Sequence, residues 1–176
     1  MEKNIVLIGF MGTGKSTIGM KLAEKLKMQF IDMDREIEKL TGMSIATLFK
    51  KHGEIRFRSE ESLMSKKLGA RSNLVIATGG GVVLNSENVE ALKKTGILVC
   101  LEAKPEVILA RINRKKGSRP LLKKNLGIED IEKMLAEREE HYALADFRVD
   151  TSNKEMDKIV QEIIQIIRNS SNRRVG

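Results

Sequence analysis

The chain has no tryptophan, one tyrosine and five phenylalanines in 176 residues. So few rings argue against a base-stacking platform for single-stranded nucleic acid. No apolar run approaches the roughly 20 residues that a bilayer-crossing helix requires. A single cysteine, Cys100, excludes an intrachain disulfide. It lies in the apolar run 97–101, where it reads as a small buried hydrophobe. The first residues run directly into a short apolar stretch and a glycine-rich loop, without the longer apolar region and small-residue cleavage site of a secretory leader. The expectation is a cytoplasmic protein.

What is abundant is positive charge. There are 32 Lys and Arg against 24 Asp and Glu, a formal net charge of +8 and a pI near 9.6. Such a balance points to an anionic partner: nucleic acid, a membrane surface, or a phosphorylated or carboxylated small molecule. The scarcities above leave the small molecule as the expectation, with no nucleic acid and no membrane. The length suits one domain, residues 1–176.

Short apolar runs alternate with longer charged segments of helical period. Residues 5–8, 29–31, 74–77, 97–101 and 147–149 read as strands. Uninterrupted apolar strands suit a parallel sheet covered on both faces. Between them, 17–26 sets Ile18, Leu22 and Leu26 on one helical face. Ser44 is placed to cap a helix over 45–51, and Ser86 one over 87–94. Pro105 suits the first turn of a helix to about Arg114. Residues 128–145 and 156–168 read as two further helices, the first with Ile128, Ile131 and Leu135 inward. The alternation predicts an α/β fold with a three-layer, doubly wound, five-stranded parallel sheet. Residues 33–69 hold only helical patterns and read as an inserted subdomain. Residues 111–124 carry seven Lys or Arg and no acid, with Gly117, Ser118 and Pro120 favouring a loop. The polar stretch 169–176 is expected to be disordered.

One motif carries specific chemistry. Gly9-Phe10-Met11-Gly12-Thr13-Gly14-Lys15-Ser16 fits G-x-x-x-x-G-K-[ST] between a strand and a helix. Such a loop turns successive backbone N–H groups around phosphate oxygens, and the helix start adds its positive end. Gly12, Thr13, Gly14, Lys15, Ser16 and Thr17 are therefore the expected ATP-binding residues. Lys15 would reach the β- and γ-phosphates, and Ser16 would ligate Mg²⁺.

Other candidates gain meaning from that loop. Asp32 and Asp34, two apart at the end of the second strand, would point to one side if extended. One would hold Mg²⁺ through water while the other meets a substrate hydroxyl. Arg56 and Arg58 diverge by about 200° on a helix, so at most one faces a site. Arg58 is also spaced to pair with Glu54 or Glu61. Gly79, Gly80 and Gly81 follow the third strand and permit a close backbone approach. Arg138 stands among Glu137, Glu139 and Glu140, which would equally suit a surface ion-pair array.

Taken in order, these motifs resemble the shikimate kinase family. That family shows G-x-M-G-x-G-K-[ST], D-x-D, G-E-x-x-F-R-x-x-E, G-G-G, R-P-L-L and R-x-x-x-Y. The chain has them at 9–16, 32–34, 53–61, 79–81, 119–122 and 138–142. The resemblance implies a P-loop kinase fold like that of nucleoside-monophosphate kinases, with inserted substrate-binding helices (33–69) and a mobile lid (112–125). It implies transfer of the ATP γ-phosphate to the 3-hydroxyl of shikimate, with one Mg²⁺, by a monomer. It assigns shikimate to Asp34, Arg58, Arg138 and the glycines 79–81, with Asp34 orienting or deprotonating the attacking hydroxyl. Lys15, Asp34 and Arg119 become the catalytic residues, Arg119 closing over the phosphates. Ser16 and Asp32 would hold the metal, and Arg111 would stack on adenine. The alternatives are another small kinase of this type, acting on gluconate, a nucleotide or a similar metabolite, and a nucleic-acid-binding NTPase or non-enzymatic basic module.

Overall fold

The computed structural model describes residues 3–114 and 125–173. β1 (Asn4–Ile8) is buried at every position. A strand with no polar side must lie inside a sheet covered on both faces. It does so at the centre of a five-stranded parallel sheet ordered β2-β3-β1-β4-β5. The other strands are β2 (Gln29–Asp32), β3 (Leu74–Ala77), β4 (Gly96–Glu102) and β5 (Phe147–Asp150).

The two-residue period of β1 divides the core. Ile5 and Leu7 face α1 (Lys15–Leu26) and α7 (Met156–Asn172), meeting Ile18, Leu22, Ile159, Ile163 and Ile167. Val6 and Ile8 face the opposite layer. That layer contains α2 (Met33–Thr41), α3 (Ile45–Gly69), α4 (Ser86–Lys93), α5 (Pro105–Arg114) and α6 (Ile128–Tyr142), with a single 3-10 turn at Val82–Leu84. The three layers are those expected. The strand order reverses around β1, which opens a crevice at the carboxyl ends of the central strands.

Several boundaries differ from expectation, each for a local reason. Asp34 is not extended. Asp32 ends β2 and caps α2, its Oδ1 accepting from Arg35 N–H at 3.3 Å, so Asp34 falls in the first helical turn. Asn85, not Ser86, caps α4, accepting from Glu87 N–H at 2.9 Å. α6 stops at Tyr142 because Asp146 bonds β4: its N–H donates to Leu98 O, and its carboxylate accepts from Leu98 N–H. Ile128, expected inward, is exposed at the start of that helix, while Ile131 is buried. Residues 169–172 continue α7 instead of fraying, and the Ser170 and Ser171 hydroxyls fold back onto Ile167 O. Residues 112–114, assigned to a lid, complete α5, and Ile112 is buried there. The helix predicted at 45–51 continues to Gly69 across a kink at Gly53 (φ 81°, ψ 177°).

Candidate active site

The phosphate loop lies between β1 and α1 in the predicted context. Gly12 (φ 80°) and Gly14 (φ 95°) adopt left-handed backbone, which lets the loop curl over the start of α1. Lys15 opens α1 with its side chain buried beneath the loop, and its Nζ donates to Gly9 O at 2.7 Å and Phe10 O at 3.0 Å. The loop forms one wall of a cavity of about 510 Å³, with Asp32, Asp34, Gly79, Gly80, Arg111 and Thr151 around it.

Ser16 and Asp32 meet on this cavity, the Ser16 hydroxyl donating to Asp32 Oδ2 at 2.7 Å. Asp32 thus caps α2 with one oxygen and faces the loop with the other. A hydroxyl beside a carboxylate is the hard-oxygen donor set that Mg²⁺ takes when phosphates and water complete its shell.

Asp34 is half-buried, and its Oδ1 is buried without a hydrogen-bond partner among the described residues. Burial and the Asp32 carboxylate push its pKa up to about 6, against the pull of Lys15 and Arg58. Glu61 is pushed up to about 6 mainly by burial, despite its contact with Arg58. Both carboxylates crowd the glycine turn: a Cβ on Gly79 would stand 2.9 Å from Glu61 Oε2 and 3.0 Å from Asp34 Oδ1.

The two arginines flank the same turn. Arg58 Nη1 donates to Glu61 Oε1 at 2.7 Å, and Nη2 lies 3.5 Å from Glu54. A Cβ on Gly81 would meet the Arg58 guanidinium carbon at 2.8 Å, so glycine there makes room for the arginine. Arg56 turns away, as divergence on the helix requires, and pairs with Glu60. Arg138 Nη1 donates to Gly80 O at 3.2 Å, and its guanidinium stands 5.1 Å above the Phe10 ring. The glutamates around Arg138 do not hold it: Glu139 pairs with Arg148 instead. Phe57, 4.8 Å from Phe49, stands 5.5 Å beneath Arg58.

Arg111 faces the cavity, and its Nη1 and Nη2 donate to Gly12 O, Thr151 Oγ1 and Thr151 O. Thr151 is a site residue that sequence reasoning missed. Only a polar residue directly after a weak fifth strand hinted at it. Cys100 is buried and its thiol is raised to about 12, as suits a core residue. Arg119 and most of the lid lie outside the described residues.

The chain matches the family model described as shikimate kinase over residues 11–168. It is 52% identical to the shikimate kinase of Pelotomaculum thermopropionicum over 94% of this chain and 96% of that one. With the shikimate kinase of Caldanaerobacter subterraneus it shares 48% identity, over 93% and 95% of the two chains. It superposes with a TM-score of 0.90 on the Acinetobacter baumannii shikimate kinase solved in complex with shikimate. That match is 38% identical and covers 97% of this chain and 95% of the other.

Proposed function

Because the chain belongs to the shikimate kinase family, and so transfers phosphate from ATP to shikimate, we propose how its residues share that reaction. The observation that carries the assignment is convergence. One crevice joins the phosphate loop to Asp34, Gly79 and Gly80, and Arg58 and Arg138 stand against the same glycine turn at Gly81 and Gly80.

ATP lies with its phosphates on Gly12, Thr13, Gly14, Lys15, Ser16 and Thr17. Lys15 supplies positive charge to the transferring group, and Arg119 adds more from 112–125. Arg58 and Arg138, on opposite sides of the turn, take the shikimate carboxylate, a planar task suited to guanidinium. Gly79, Gly80 and Gly81 let the sugar-like ring approach the backbone. Asp34, poised near pH 6 by burial, accepts a hydrogen bond from the 3-hydroxyl and takes its proton as the oxygen attacks. Phosphoryl transfer needs alignment and charge stabilisation more than covalent help. One Mg²⁺ on Ser16 and Asp32 neutralises phosphate charge when bound. Residues 33–69 serve as the shikimate-binding part of a single domain. The enzyme works as a cytoplasmic monomer. Among the described residues no helix is long and apolar enough to cross a membrane.

A coupled ADP-release assay with ATP and Mg²⁺ tests this reading. The signal should require shikimate and should not arise with gluconate or a nucleoside monophosphate as acceptor. ADP release independent of shikimate would overturn it.

A further inference from the structure

A loop that turns its N–H groups inward around phosphate turns its carbonyls outward, and buried carbonyls require donors. Most of those donors are local here. Gly9 O and Phe10 O accept from Lys15 Nζ, Phe10 O also accepts from the Thr13 hydroxyl at 2.7 Å, and Gly14 O accepts from Ile18 N–H at 2.9 Å. Gly12 O and Thr13 O are served from far away in the chain. Arg111 Nη1 donates to Gly12 O at 3.0 Å, and the Thr151 hydroxyl lies 3.2 Å from Thr13 O.

The two remote donors are also joined to each other. Arg111 Nη1 donates to Thr151 Oγ1 at 3.1 Å, and Nη2 donates to Thr151 O at 3.1 Å. Thr151 is fully buried and anchored on β4 through its N–H, 2.7 Å from Glu102 O. Its hydroxyl also lies 2.8 Å from Glu102 O, so its one proton serves Thr13 O or Glu102 O at a given moment. Glu102 O keeps the backbone N–H in either case. The result is a polar clamp that ties the outer side of the phosphate loop to α5 and to the end of β5.

We propose that Arg111 and Thr151 are positioning residues for the phosphates: by holding Gly12 O and Thr13 O outward, they aim the loop's amides at ATP. The N–H edge of the guanidinium is committed to the loop and to Thr151, a task that leaves its faces free and does not depend on a base. The inference rests on the ATP site proposed above.

Isothermal titration with ATP, inorganic tripolyphosphate and shikimate separates the possibilities, because tripolyphosphate has no base. Arg111→Ala and Thr151→Val should each weaken ATP and tripolyphosphate alike, by about tenfold, the loss of one charge-assisted or buried hydrogen bond. Shikimate affinity should stay within about twofold, since neither side chain touches the glycine turn. The double variant should lose less than the product of the single losses, because the residues act as a unit. Thr151→Ser, which keeps the hydroxyl, should restore affinity. Arg111→Lys should not, since a single ammonium does not reproduce the fork that reaches Gly12 and both Thr151 oxygens.

A loss for ATP alone in Arg111→Ala, with tripolyphosphate unchanged, would overturn the clamp in favour of base stacking. A lowered melting temperature in Thr151→Val with both affinities intact would reduce Thr151 to a structural residue and equally overturn it. Should Thr151→Val not fold, the tripolyphosphate affinity of Arg111→Ala decides alone. Wild-type protein binding neither ATP nor tripolyphosphate would sink the ATP site itself, a distinct failure.

Discussion

Glu61 is a carboxylate only 1% exposed, and Arg58 satisfies one of its oxygens while the other faces Gly79. Burial raises its pKa from 4.5 to about 6. The folded state therefore favours the protonated form. The stabilisation from this group is complete below pH 4.5 and is lost as pH rises through about 6, a change on the order of 2 kcal/mol. Asp34 titrates in a similar window, starting from 3.8. Glu61→Gln should consequently flatten part of the fall in melting temperature between pH 4.5 and 6, leaving the share due to Asp34. An unchanged slope would mean that Glu61 titrates as an exposed carboxyl. The neighbouring glycine gives a second expectation. Gly81 has φ −100° and ψ 1°, backbone open to any residue, so a methyl group there acts on Arg58 and not on the chain. Gly81→Ala should raise the KM for shikimate by about tenfold or more, the loss of a charge-assisted bond, with the KM for ATP unaltered. Equal rises for both substrates would show that the displaced arginine does not belong to the shikimate side alone.

At the level of elements, what the sequence reveals depends on how local each cause is. β1 was legible because burial on both faces leaves a continuous apolar run. α7 was legible because Ile159, Ile163 and Ile167 recur at helical spacing. The Asp32–Asp34 pair was legible by residue type but not by geometry. Asp32 caps α2, so the helix begins at Met33, two residues earlier than an extended 32–34 allows, and Asp34 reaches the crevice from a helical turn. The spacing of Arg58 suits a surface pair and a site equally, and the structure shows it contacting both Glu54 and Glu61 while lying against the glycine turn. Thr151 was illegible because its partners Thr13 and Glu102 are 138 and 49 residues distant, and no local pattern records such a contact. α7 also shows how the site is supported from behind. Ile163 is fully buried between α7 and the face of the sheet that carries α1. Ile163→Ala should cost about 2–5 kcal/mol in urea unfolding, the usual range for a large-to-small core change. A cost below 1 kcal/mol would mean that the α7 layer repacks freely.

For the molecule as a whole, the net charge of +8 has a narrower meaning than its size suggests. Lys15, Arg111, Arg114 and Lys154 line one crevice, the last two on exposed positions, and Arg58 and Arg138 stand at the glycine turn that borders it. Both substrates are anions, so a crevice lined by one sign of charge raises their encounter rate at low ionic strength. Steering acts through exposed charge and is screened within about 8 Å at physiological salt, whereas buried contacts are screened much less. The two contributions therefore separate in a salt series. The value of kcat/KM for ATP should fall as sodium chloride rises, while kcat at saturation changes little, because the alignment that sets it lies in buried contacts. Arg114→Gln should make that fall shallower, since it removes a rim charge. Lys67→Gln should leave it unaltered, because the last turn of α3 precedes β3 and lies at the opposite end of the sheet. Equal effects of the two substitutions would show that the positive excess acts as a diffuse field over the whole surface. A shallower slope for Arg114→Gln alone would place the useful part of the charge at the mouth of the crevice.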